Sequence, residues 1–173
     1  MRTKKIVWST AMGLTAVILT GCLFMRPQML ARSIDLTAES VGGVKIGENI
    51  GSSSFTDKYQ QALNKQDNTM YDYYEWEGGL RTASVNKGQA KGTIMRLIIS
   101  GPDNPLTTAK GIHIGDSKEK VLSLYGKKYY KSGEQGADIV GYIDREQNLT
   151  LEFWCVNSTG EVAEIRLDDA GVR

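Results

Sequence analysis

A five-residue pattern occurs twice in this chain and limits its folds more than any other feature. Gly43-Val44-Lys45-Ile46-Gly47 returns as Gly111-Ile112-His113-Ile114-Gly115, and each copy is followed by apolar residues at helical spacing. After the first copy these are Phe55, Tyr59, Ala62 and Leu63. After the second they are Val121, Leu122, Leu124 and Tyr125, with Asp116 or Ser117 as the cap and Gly126 as the stop. Phe55 and Tyr59 match Val121 and Tyr125 once a small insertion at residues 49–52 is allowed.

Three strand-like runs separated by turn residues follow each helix. In the first half they are Met70 to Glu77, Leu80 to Val85 and Thr93 to Ser100. In the second they are Ala137 to Asp144, Leu149 to Val156 and Glu161 to Leu167, and Gly101-Pro102-Asp103-Asn104-Pro105 turns the corner between the halves. A unit of about 60 residues with one short helix has a marginal core by itself. The halves are therefore expected to pack together as one α+β domain: two tandem helix-plus-three-stranded antiparallel meander repeats forming one sheet with helices on one face.

The N-terminus carries Arg2, Lys4 and Lys5, then an uncharged, mostly apolar run from Ile6 to Leu19. That run is shorter than the ~20 residues a spanning helix needs, and its flanks are those of an export signal. Leu19-Thr20-Gly21-Cys22 resembles the lipobox of bacterial lipoproteins. The resemblance implies a diacylglyceryl group on the Cys22 thiol and cleavage just before it. At ~0.8 kcal/mol per buried CH₂, two acyl chains supply gross anchoring on the order of 20 kcal/mol. The expected division is a signal peptide at 1–21, a lipidated tether at 22–40, the first repeat at 41–102 and the second at 103–173. The expected location is the extracytoplasmic face of the cell membrane. In a host with two membranes the outer one is open to it, because Leu23 rather than an aspartate follows the cysteine.

Cleavage leaves 173 − 21 = 152 residues and moves the formal net charge from +1 to 1 − 3 = −2. A near-neutral chain argues against nucleic acid as a partner. With Cys22 acylated, Cys155 has no intramolecular disulfide partner. Its alternation with Leu149, Leu151 and Phe153 places it on the apolar face of a strand, as core.

The second copy, with Gly111, Ile112, Ile114, Gly115, Asp116, Ser117, Val121, Tyr125 and Gly126, resembles a known group. This is the tandem helix-plus-antiparallel-sheet fold of the secreted beta-lactamase inhibitor protein, found as a single copy in the small lipoprotein of the outer-membrane barrel-assembly machinery. The resemblance covers about residues 41–169 and implies a protein-binding module rather than an enzyme. The chain lacks the inhibitor's paired disulfide cysteines and has two copies where the assembly lipoprotein has one, so neither partner carries over.

Catalytic and metal chemistry find little to work with. His113 is the single histidine, and a nucleophilic pair needs a second group brought beside it in space. Four-ligand zinc spacing is absent. The carboxylates Asp168 and Asp169, and the set Asp72, Glu75 and Glu77, lack calcium-loop spacing. No catalytic residue, metal or cofactor is expected. Lys127, Lys128 and Lys131 cluster after the second helix, where they suit a helix C-terminus or an anionic lipid.

Aromatic residues offer the better candidate. If helices cover one sheet face, Tyr74 and Trp76 fall on the other, with Tyr142 and Trp154 joining them from the second half. Exposed Tyr and Trp on a sheet are typical interface anchors. The expectation is a non-catalytic, lipid-anchored binding module of the bacterial envelope, contacting an envelope or extracellular protein through these four residues. Its variants are an immunity or exclusion lipoprotein, an assembly lipoprotein of an envelope complex, and a small-molecule or glycan sensor.

Overall fold

The computed structural model describes residues 27–134 and 136–172. Cys22, its lipobox and the signal segment lie outside the described residues. Eight antiparallel strands form one sheet: β1 (Ala62–Asp67), β2 (Tyr71–Trp76), β3 (Leu80–Val85), β4 (Ile94–Ser100), β5 (Tyr130–Glu134), β6 (Ala137–Asp144), β7 (Leu149–Val156) and β8 (Val162–Asp169). Their order across the sheet is β1-β2-β3-β4-β8-β7-β6-β5, so each half is a four-stranded meander and the halves join edge to edge through β4 and β8.

This architecture overturns the α+β expectation of helix-plus-three-stranded units with helices layered on one face. The helices are small: α1 (Pro27–Leu30), α2 (Ser53–Thr56) and α3 (Lys118–Tyr125). The first repeat's helix is a single turn, and Ala62 and Leu63, assigned to it from their spacing, begin strand β1 instead. Strand β5 is the second element the six runs did not include. Both additions are edge strands, and every residue of β1 after Ala62 is exposed. Neither strand has one dry face, so neither shows the period of two.

What covers the buried face is mostly loop. Register carries one apolar row across it: Tyr74 beside Thr82, then Leu97, Leu167, Leu151 and Tyr142. A parallel row runs through Leu80, Ile99, Ile165, Phe153 and Val140. Onto these pack Leu36, Val41, Val44, Ile112 and Ile114 from the loops, Phe55 and Tyr59 from α2 and its exit, and Val121 and Tyr125 from α3.

The repeated pattern does the same work in both halves. The amide of Gly47 donates to the Ile94 carbonyl at the start of β4 (2.9 Å), and that of Gly115 donates to the Val162 carbonyl at the start of β8 (2.8 Å). Both glycines have φ near +90° (+87° and +88°), a backbone that favours glycine. The amides of Ile94 and Val162 in turn donate to the carbonyls of Glu48 and Asp116. Each pattern is thus a clip that holds its loop onto the last strand of its half.

Residues from Pro27 onward belong to the fold, so the expected tether is docked over its described part. The Leu36 amide donates to Asp144 Oδ2 (2.8 Å), and Leu36 is buried. Glu39 is buried and accepts from the Ala109 amide and from the Tyr125 hydroxyl (2.8 Å). That carboxylate ties the N-terminal segment to the 108–109 loop and to α3.

Cys155 is fully buried among the core residues, and burial raises the pKa of its thiol. The Cys155 thiol is expected not to react with an aromatic disulfide reagent until denaturant exposes it. Rapid reaction of the native protein would place a thiol outside the core.

Candidate functional site: the uncovered face of the sheet

Side chains alternate across a strand, so the rows between the apolar ones point to the uncovered face. One of them reads Glu75, Arg81, Ile98, Arg166, Glu152, Gly141 and Tyr130 across the sheet. The next reads Tyr73, Ala83, Arg96, Asp168, Thr150 and Ile143. Both rows carry charged residues of both signs, and ion pairs link strands of the two halves.

Arg96 makes a two-pronged pair with Asp168, with Nε to Oδ1 and Nη2 to Oδ2 each 2.8 Å. The Asp168 side chain is only 12% exposed. Its burial raises its pKa, and Arg96 opposes that rise without cancelling it. Desolvation pulls the Arg96 guanidinium down, but the Asp168 bonds outweigh it, so Arg96 stays charged more firmly than a free arginine. Arg81 reaches Glu164 (2.9 Å) and the Ser100 hydroxyl (3.0 Å), and Arg166 pairs with the same Glu164. Glu152 accepts from the Tyr130 hydroxyl (2.6 Å), the Trp154 indole (3.1 Å) and the Gln28 amide (3.4 Å). Burial, then the Glu152 charge, pushes the Tyr130 hydroxyl well above its ordinary pKa.

Tyr130 reaches Glu152 by laying its ring across Gly141, the residue that separates them in register. A methyl on Gly141 would overlap the carbons of that ring. Only glycine leaves the ring this route across the strand.

Two hollows open on this face. The smaller, about 260 Å³, is centred on Tyr73, Ala83, Arg96 and Ile98. The larger, about 620 Å³, has Thr150, Glu152, Trp154, Arg166 and Asp168 in its floor. Gln28 and Met29 of α1, Arg145, Ala170 and Val172 bound it, so segments from both ends of the described chain form its rim. Arg96 lines both hollows, which makes them parts of one surface.

The four aromatic residues expected to form an open binding face are not brought together. Tyr74 and Trp76 belong to the covered face: the Trp76 ring stands edge-on to Phe55 with centroids 4.8 Å apart, and its indole donates to the Thr82 hydroxyl (3.1 Å). Tyr142 is fully buried beside Tyr125 and Phe153, and its hydroxyl donates to the Gly126 carbonyl. Trp154 alone lies on the uncovered face, and there the Arg166 guanidinium covers it 3.8 Å from the ring centre, leaving 7% exposure. The face assignment failed because the covering layer lies on the side of Tyr74 and Trp76, where α2 supplies Phe55. No run within β2 distinguishes its two aromatic faces.

His113 is half exposed and sits with its Nε2 3.5 Å from Asp116 and its Nδ1 against the Ile114 carbonyl, with no nucleophile in the group. Asp168 is engaged by Arg96, and no cluster of three metal-ligating side chains exists among the described residues. The arginines and carboxylates of the uncovered face were legible as the alternations Arg96-x-Ile98-x-Ser100 and Glu164-x-Arg166-x-Asp168. That pattern names a polar face but not its pairing across β4 and β8.

No protein-family model matches the chain, and no curated protein matches it. Among solved structures it is similar to a cysteine-rich secretory protein from Staphylococcus aureus, at 12% identity and a TM-score of 0.43, over 71% of this chain. The chain spans 44% of that protein's length.

Proposed function

We propose that this is a lipid-anchored, extracytoplasmic binding module that acts without catalysis and engages an envelope or extracellular protein through the uncovered sheet face. The observation that carries the reading is the composition of that face. Three arginines, Arg81, Arg96 and Arg166, are set against three carboxylates, Glu152, Glu164 and Asp168, and the half-buried Tyr73 and Ile98 flank a hollow. With Glu75 of the same face the sum is 3 − 4 = −1, so the face offers no positive field for a polyanion. It offers a mixed polar and apolar surface of the kind protein interfaces share. Anchoring through Cys22 is the part of the reading that the lipobox supports.

The test is crosslinking in intact cells with the full-length chain beside a variant carrying Tyr73→Ser and Ile98→Ser, both checked for unfolding midpoint. Interface anchors of this kind cost ~2 kcal/mol or more each on truncation. Capture of a specific envelope protein should therefore fall more than about tenfold in the variant while folding is retained. Equal capture by both chains would refute the reading. The larger hollow favours one second reading, a small-molecule sensor, since its size lies within the ~300–1,000 Å³ range of ligand pockets. A ligand that raises the melting temperature while protein capture stays absent would select it.

A further inference from the structure

The end of the sheet where β6 finishes carries a second surface, which adjoins the larger hollow at Met29 and Arg145. Segment 32–36 takes over the edge of β6 beyond β5: Ser33 bridges Ile143 in parallel, and the Ile34 amide donates to the Ile143 carbonyl (2.9 Å). Just before it, Arg145 clamps α1 by donating to the carbonyls of Met29 (3.0 Å) and Ala31 (2.9 Å). Met29 and Leu30 are nonetheless 61% and 74% exposed. The chain entering β5 passes the same corner, held there by the Tyr142 hydroxyl on the Gly126 carbonyl and by the Tyr129 ring 6.2 Å from that of Tyr142. It presents Lys127, Lys128 and Lys131, all exposed.

Arg32 and these three lysines form no ion pair with any described residue; Lys45, Lys58, Lys87, Lys91 and Lys110 elsewhere are likewise unpaired, but the corner gathers four such cations. With Arg145 the corner holds five cations against the exposed carboxylates Asp35 and Glu146, a balance of 5 − 2 = +3. Asp144 adds no outward charge there, because it is buried and accepts from the amides of Leu36, Glu146 and Gln147. Cys22 precedes Pro27 by five residues, and at ~3.6 Å per residue it lies within about 18 Å of α1.

We propose that this corner seats on an anionic bilayer surface, with Met29 and Leu30 at the interface and Arg32, Lys127, Lys128 and Lys131 against lipid phosphates. The inference rests on the reading that Cys22 is acylated, which fixes this end of the fold to the membrane. Acyl chains alone hold the protein to any bilayer. The basic corner makes its orientation depend on lipid charge, each cation near the surface adding to the attraction.

The experiment uses the full lipidated protein in vesicles of phosphatidylcholine alone and of phosphatidylcholine with phosphatidylglycerol, and follows backbone hydrogen exchange. Amides of residues 28–32 and 127–132 are expected to exchange at least about tenfold more slowly on the anionic vesicles. Lys127→Glu, Lys128→Glu and Lys131→Glu together should abolish that difference and leave exchange in β7 and β8 unchanged. Equal exchange on the two vesicle types, or protection confined to the uncovered sheet face, would overturn the proposal. The mass of the N-terminal peptide reports acylation of Cys22 separately. Should acyl groups be absent, the anchoring reading alone fails, and co-sedimentation of the same chain with the two vesicle types decides this one. Binding to the anionic vesicles that the three Lys→Glu changes remove supports it, and no binding refutes it.

Discussion

Gly141→Ala should lower stability by about 3–5 kcal/mol and the melting temperature by roughly 10 °C, a large effect for one added methyl group. The cause is not helix or strand propensity but the Tyr130 ring, which lies where the methyl would go. Either the ring leaves and its hydroxyl gives up Glu152, or strands β5 and β6 separate locally. Overpacking costs ~1–3 kcal/mol, and a hydrogen bond to a charged acceptor is worth a further ~1.5–3. Urea unfolding of the two proteins measures the sum. Gly133→Ala, on the neighbouring strand, is the control: the added carbon would stand 3.6 Å from the Ala137 carbonyl oxygen, an ordinary contact. A similar loss at both positions would remove the ring from the explanation. In the pair Gly141→Ala and Tyr130→Ala, the double variant should lose clearly less than the two single losses added.

Arg96→Met is expected to cost about 3 kcal/mol, because it strands the Asp168 carboxylate at the seam between the halves. The value is set toward the low end of buried pairs, since the Arg96 side chain remains 22% exposed. Arg96→Met combined with Asp168→Leu should recover most of the loss. The pH dependence has a definite sign. Asp168 has a folded pKa above its unfolded value, so its contribution to stability is fully present below the unfolded value, ~3.9, and is lost as pH rises through the folded value. Removing Arg96 raises the folded value further. The penalty of Arg96→Met should therefore shrink steadily as pH falls from neutrality toward ~4. Unfolding free energies of the two proteins across that range test this, and a pH-independent difference would show that Asp168 is not the stranded group.

The inner strands were the easiest part of this chain to read. Leu80–Val85, Ala137–Asp144 and Leu149–Val156 have the bounds read from the turn residues that separate them, and each buries apolar side chains against the loop layer. β1 and β5 escaped notice since an edge strand wet on both sides has no alternation to display. The spacing of Phe55, Tyr59, Ala62 and Leu63 suggested a longer helix than the single turn Ser53–Thr56. Phe55 and Tyr59 are nevertheless core residues, since a turn and its exit deliver them to the same place. The site was less legible. Tyr73 and Tyr74 look alike in sequence, and Tyr74 is the covered one because it stacks on Trp76, which packs against Phe55. The pairing of Arg96 with Asp168 joins residues 72 apart in the chain, and no local pattern encodes it.

Strand β8 sits between β4 and β7, in the middle of the sheet, although it is the last strand in chain order among the described residues. Three strands lie between β4 and β8 in the chain, so until β8 is in place β4 has one side of its backbone unpaired, and so does β7. A chain interrupted after β7 would hold two naked strand edges facing a gap, the arrangement most prone to recruit strands from other molecules. The seam thus makes length itself a condition of solubility: the two meanders become one sheet only when the final strand arrives to fill the place kept for it.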